Sequence, residues 1–145
     1  MDLVNDTENM DTLLLIAAQG YNWKEIKLLI ERGANVNVRD DTRGRSLLHQ
    51  AVVYGNRHDV QFLIDSGADI NAKDKHGRTP LNIAAMFGLL NMLRVLLEAG
   101  ANPFIQSSGG YTARGVAQKE ANSRMAKMLQ EYEDSFQEVK EPGFD

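Results

Sequence analysis

Four hydroxyl residues set the ruler for this chain. Thr12, Ser46, Thr79 and Thr112 follow one another at steps of 34, 33 and 33 residues, and Leu29, Leu63, Leu96 and Leu129 keep the same steps. A fixed period of this length constrains the fold more than any local pattern does. A unit so short cannot bury its apolar face alone. It must bury it against a neighbour of the same kind, which makes the chain a stacked array.

Each unit repeats the same internal order. The second runs Ser46-Leu47-Leu48-His49, Ala51, Gly55, Leu63-Ile64, then Gly67-Ala68-Asp69-Ile70-Asn71. The third runs Thr79-Pro80-Leu81, Ala84-Ala85, Gly88, Leu96-Leu97, then Gly100-Ala101-Asn102. Ser46 is a helix N-cap, so a first helix is predicted over 47–54, stopped at Gly55-Asn56. Val60, Leu63 and Ile64 share one face at i, i+3, i+4 spacing, which predicts a second helix over 57–65. The third unit predicts helices over 80–87 and 90–98. Leu14, Ala17, Ala18, Ile26, Leu29 and Ile30 carry the pattern in the first unit. Val116, Ala117, Met125, Met128 and Leu129 carry it in the fourth. The one irregular step places an extra residue near Asp40-Asp41-Thr42, at a loop tip where insertion costs little.

At these residues the chain resembles the ankyrin-repeat family, over positions 12–132. The middle units carry the motif most fully. Proline occurs in it only at Pro80 and histidine only at His49, while Tyr21 and Ala121 stand where Gly55 and Gly88 stand. The resemblance implies an all-α solenoid of four helix–turn–helix units joined by hairpin-like loops. First helices and hairpins would line its concave face. The expected division is an acidic N-terminal extension over 1–11, a repeat domain over 12–133 and a flexible acidic tail over 134–145. The units fall at about 12–40, 41–74, 75–107 and 108–133. Helical periodicity weakens beyond Phe136 and Val139, and Pro142-Gly143 disfavours regular structure.

No residue pattern predicts catalysis. The chain has no cysteine, which excludes disulfides, thiolate chemistry and cysteine-ligated zinc. Ser46 and His49 resemble half of a nucleophile–base pair, but helix capping explains them, and a triad needs an orienting acid and an oxyanion site besides. His58 and His76 stand apart, without ligand spacing. Gly109-Gly110 lacks the Lys-Ser/Thr of a phosphate loop. The expectation is a non-enzymatic protein–protein interaction module, an adaptor, inhibitor or immunity-type partner, with no cofactor and no metal.

Charge then points to the partner. The chain has a net charge of −4, yet residues 1–11 hold four acids and no base, and residues 131–145 hold six acids and one base. The body between them has 15 bases and 10 acids, a net charge of +5. Carried onto this sequence, the family's usual contact positions are Arg39, Arg43, Arg45 and Tyr54 in the second unit. In the third they are Lys73, Lys75, His76, Arg78, Met86 and Phe87, and in the fourth Tyr111. Aromatic residues rimmed by bases have the composition of a protein interface, and here they predict an acidic protein partner. The alternative is a nucleic-acid-associated protein, with bases stacking on Tyr54, Phe87 and Tyr111. Asp40, Asp41 and Asp74 among the basic residues disfavour it. No stretch reaches the roughly 18 apolar residues of a membrane span. The N-terminus carries Asp2, Asp6 and Glu8 in place of a basic leader, so the expectation is a cytoplasmic protein, monomeric on its own.

Overall fold

A computed structural model describes the backbone of residues 3–140 and the side chains of residues 9–136. Among the described residues there are eight helices in four antiparallel pairs. They are α1 (Leu3–Gln19) with α2 (Trp23–Glu31), α3 (Leu47–Tyr54) with α4 (Arg57–Asp65), α5 (Pro80–Met86) with α6 (Leu90–Glu98), and α7 (Ala113–Lys119) with α8 (Ser123–Lys140). The four middle helices match the spans predicted from the sequence to within one residue.

The periodic hydroxyls start the first helices. Ser46 and Thr79 each accept from the backbone N–H three residues on, while His49 and Asn82 return a bond to the cap's own N–H. Thr112 accepts from the Gly115 N–H. Pro80 sits at the first helical position, where its missing N–H costs nothing. Asn56 and Asp59 form the same reciprocal box at the start of α4.

Alanine decides how closely the units stack. Ala17, Ala51, Ala84 and Ala117 are buried, and α3, α5 and α7 pack in one row across them. Leu63, Leu96 and Leu129 are fully buried beneath that row and Leu29 nearly so, in one core that is continuous from Leu14 to Leu129. α1 packs chiefly on α2 and approaches α3 less closely.

A second ladder runs along the loops behind the hairpins. Asn37 Oδ1 accepts from the Asp69 N–H at 2.8 Å, and Asn71 Oδ1 accepts from the Asn102 N–H at 2.9 Å. At the open N-terminal end Asp11 fills the same role, accepting from the Asn35 N–H at 2.7 Å. At the other end Phe104 replaces the asparagine and packs edge-on against Phe136, with centroids 6.2 Å apart.

Both expected end boundaries change. Position 12 falls inside α1, so residues 3–11 are its first turns and not a separate extension. At the C-terminus, α8 runs to Lys140, so residues 134–140 are helical where loss of regular structure was expected. The reason is packing that periodicity alone did not reveal. Phe136 meets Phe104 and Tyr132, and Arg114 pairs with the buried Glu133 at 2.9 Å. Pro142-Gly143 lie outside the described residues.

Candidate interaction surface

The hairpins form a backbone ladder of their own. The Lys75 N–H donates to the Arg43 carbonyl at 3.0 Å, and the Ser108 N–H donates to the His76 carbonyl at 2.9 Å. Gly44, Gly77 and Gly110 turn the tips with φ of 65°, 71° and 84°, a conformation that glycine adopts without steric cost. Within each hairpin the N–H of Asp40, Asp74 or Ser107 donates to the carbonyl of Arg45, Arg78 or Tyr111. This pairing puts Arg45, Arg78 and Tyr111 at one structural position and locates the extra residue between Asp40 and Arg45.

The predicted bases divide by what their side chains do. Arg39 donates to the Lys73 carbonyl and Lys75 to the Asp41 carbonyl, so both staple neighbouring hairpins. Arg78 is half-buried and paired with Asp74 at 3.0 Å, and its guanidinium also touches the Met86 sulfur at 3.7 Å. Arg43, Lys73 and His76 are exposed, with no side-chain hydrogen bond among the described residues. The rim is therefore partly free charge and partly charge fixed in place.

Asp74 holds the second hairpin closed. Burial alone would raise its pKa. Hydrogen bonds from the Arg78 and His76 backbone N–H groups, together with the Arg78 charge, outweigh burial and hold the carboxyl below its usual range. His49 links this hairpin to the preceding unit. Its Nδ1 faces Ser46 and its Nε2 lies 2.8 Å from the Arg78 carbonyl. Burial is the main cause that pushes its pKa down, so the imidazole is held neutral and donates through Nε2. The nucleophile–base resemblance of Ser46 and His49 is thus fully absorbed by a cap and an inter-repeat bond. No group of three or more metal-ligating side chains occurs among the described residues, and no helix there is long and apolar enough to cross a membrane.

The aromatic positions lie open. Tyr54 and Phe87 are each 54 % exposed, and Tyr111 and Met86 are 42 % and 37 % exposed. Tyr54 is the last residue of α3 and Phe87 the C-cap of α5, one repeat apart. Tyr111 carries the Lys119 ammonium over its ring at 5.0 Å. The structure adds Tyr21, which sequence reasoning left out of the surface. Its ring packs on Tyr54 with centroids 4.4 Å apart, and it is itself exposed. Its partner Tyr54 is the first cause that raises the Tyr21 phenol pKa, and the Arg43 and Arg45 charges act against it. The available signal was the replacement of a motif glycine by tyrosine. Tyr21 holds the turn's left-handed backbone (φ 52°), as Gly88 does at 66° and Ala121 at 56°.

Two family models described as ankyrin repeats match the chain, one over residues 1–74 and one over residues 63–117. Mouse Rabankyrin-5 is 43 % identical over 79 residues, covering 54 % of this chain and 7 % of its own length. A putative ankyrin repeat-containing protein of Treponema pallidum is 32 % identical over 114 residues, covering 79 % of this chain and 38 % of its own length. The Arabidopsis thaliana ADP-ribosylation factor GTPase-activating protein AGD2 is 43 % identical over 72 residues, covering 50 % and 9 %. The chain therefore spans well under half the length of each of these relatives.

Proposed function

The chain belongs to the ankyrin-repeat family, and from that premise we propose that its concave face docks a protein with an acidic surface. Ankyrin repeats mediate protein–protein interaction, and this chain is built of repeats. One observation supports the finer reading. Tyr21, Tyr54, Met86 and Phe87 stay exposed although the core is complete without them, and Arg43 and Lys73 stand free in the neighbouring hairpins. Rings held at helix ends and in a tight turn lose little freedom on binding, which favours them as anchors. The free cations add long-range attraction for an acidic partner. The role is that of an adaptor or inhibitor: the repeats supply recognition and carry out no reaction.

The test uses the free residues, because Arg78 and Lys75 are built into the fold. Wild type, Phe87→Ala and Arg43→Glu/Lys73→Glu are used as baits in a native lysate, and captured proteins are quantified by mass spectrometry. The expected outcome is a common set of acidic-surfaced proteins depleted by both variants at unchanged Tm. Identical capture profiles for the three baits would refute the assignment.

A further inference from the structure

The two ends of the array are finished differently. On the outer face of α1 and α2, Leu13, Ile16 and Leu28 are 50, 59 and 37 % exposed. Their counterparts in later units are covered. Leu47, Pro80 and Ala113 are buried at the position of Leu13, Ile83 is buried at that of Ile16, and Phe62 is half-buried at that of Leu28. The cover is the preceding unit: Lys27 Nζ lies 5.8 Å from the centre of the Phe62 ring. The first unit therefore presents an apolar stacking face to solvent. At the other end Arg114 takes the position of the buried Leu14, Leu48 and Leu81. It pairs with Glu133 and donates to Gln130, so polar contacts close that end.

A further repeat stacked in register does not fit the open face. Successive hairpins pair through their backbones, but α1 runs unbroken from Leu3 through the positions before Thr12 that a hairpin would take. Such a repeat would also bond the Asn35 N–H, because the equivalent N–H groups of Asp69 and Asn102 are held by Asn37 and Asn71 of the preceding unit. Asp11 of the same unit already holds it. The far end of a second copy fails on both counts, and it offers Arg114, Gln130 and Glu133 to an apolar surface. The same end of a second copy meets neither obstacle. A two-fold contact pairs a surface with itself and needs no repeat register.

We propose that two copies of this chain associate through this end, α1 on α1 and α2 on α2, each pair antiparallel. Charge selects the arrangement. The start of α2 carries Lys24 and Glu25 and its end Glu31 and Arg32, all exposed and without a side-chain partner among the described residues. Antiparallel α2 helices set Lys24 against Glu31 and Glu25 against Arg32, on either side of Leu28. They also bring Glu31 to the positive start of the facing helix and Lys24 to its negative end. Antiparallel α1 helices pair Leu13 with Ile16 of the second copy. The start of α1, with Asp6, Glu8 and Asp11 and no base, then lies over the uncharged Gln19 and Gly20. Laying α1 on α2 instead would bring that acidic start to Glu31. Three apolar side chains per copy make a small interface, so association is weak and concentration-dependent. The monomer expected from the sequence becomes the dilute limit. Met86 and Phe87 lie two units along and stay free in both copies, so the dimer offers a partner two docking faces.

Sedimentation equilibrium of the full chain, from micromolar to millimolar concentration, tests the association without any partner. The average mass is expected to rise toward twice the monomer value. Ile16→Lys should raise the dissociation constant at least about tenfold, since each copy loses a buried apolar side chain. Ile16 is exposed in the single chain, so the variant should keep the wild-type circular dichroism and Tm. Phe87→Ala should leave the association unchanged. The chain has no cysteine, so Leu28→Cys supplies one thiol beside the two-fold axis. Mild oxidation should join it to itself much faster than it joins Gln118→Cys, which is exposed in the last unit. A constant monomer mass, association untouched by Ile16→Lys, or equal disulfide formation by the two cysteine variants overturns the proposal. That failure would leave the docking reading standing, because Phe87→Ala and Arg43→Glu/Lys73→Glu test it on a different face.

Discussion

Single positions in this array do two jobs, and His49 is the clearest case. It closes the cap of its own helix through Nδ1 and bonds the next hairpin through Nε2. At the same motif position Asn82 closes the cap of α5 with its shorter side chain. His49→Asn should therefore keep the capping box, lose the bond to the Arg78 carbonyl and cost about 1–2 kcal/mol in denaturant unfolding at pH 7.5. The histidine also gives the wild type a pH dependence. Its folded pKa is depressed, so its stabilisation is complete above the ordinary histidine value and is lost as pH falls through and below about 6.5. The unfolded chain takes up the proton first. Unfolding curves measured between pH 7.5 and 5.5 should show a steeper loss of stability for wild type than for His49→Asn, and parallel losses would contradict this account. Asp74 has the same sign at lower pH: its contribution disappears as pH falls below the usual carboxylate range.

At the scale of elements, the paired helices were legible because their signals are local. Capping side chains at Ser46, Asn56 and Thr79, a proline at the first position of α5 and i, i+3, i+4 stripes mark α3, α4, α5 and α6 within the segment itself. The end helices were less legible because contacts distant in sequence shape them. Phe136 lies 32 positions from Phe104, and Glu133 is 19 from Arg114, yet these pairs hold the later turns of α8. Asp11 likewise reaches forward to Asn35. Phe136→Ala should lower hydrogen-exchange protection in α7 and α8 while leaving α3 and α4 nearly unchanged, since each unit touches only its neighbours. Equal loss of protection along the whole array would show that Phe136 does not act locally.

For the molecule as a whole, stacking turns small periodic features into an extended face. In the proposed docking, the bases held by Asp74 and by hairpin carbonyls need not be ordered when a partner arrives. Partner association should therefore slow steeply as salt rises from about 0.05 to 0.3 M, with dissociation little changed, because steering acts on encounter and is screened within about 10 Å. Stopped-flow or biosensor kinetics would check this, and a salt-independent association rate would remove the electrostatic part of the reading. The period, the helix pairs, the buried leucines and alanines and the surplus of base in the body follow from the sequence alone, because each is a matter of spacing or composition. Which bases stay free and where Tyr21 packs were decided only by tertiary structure. These placements depend on contacts between residues 33 or 34 positions apart, and a linear pattern carries no record of where their side chains meet.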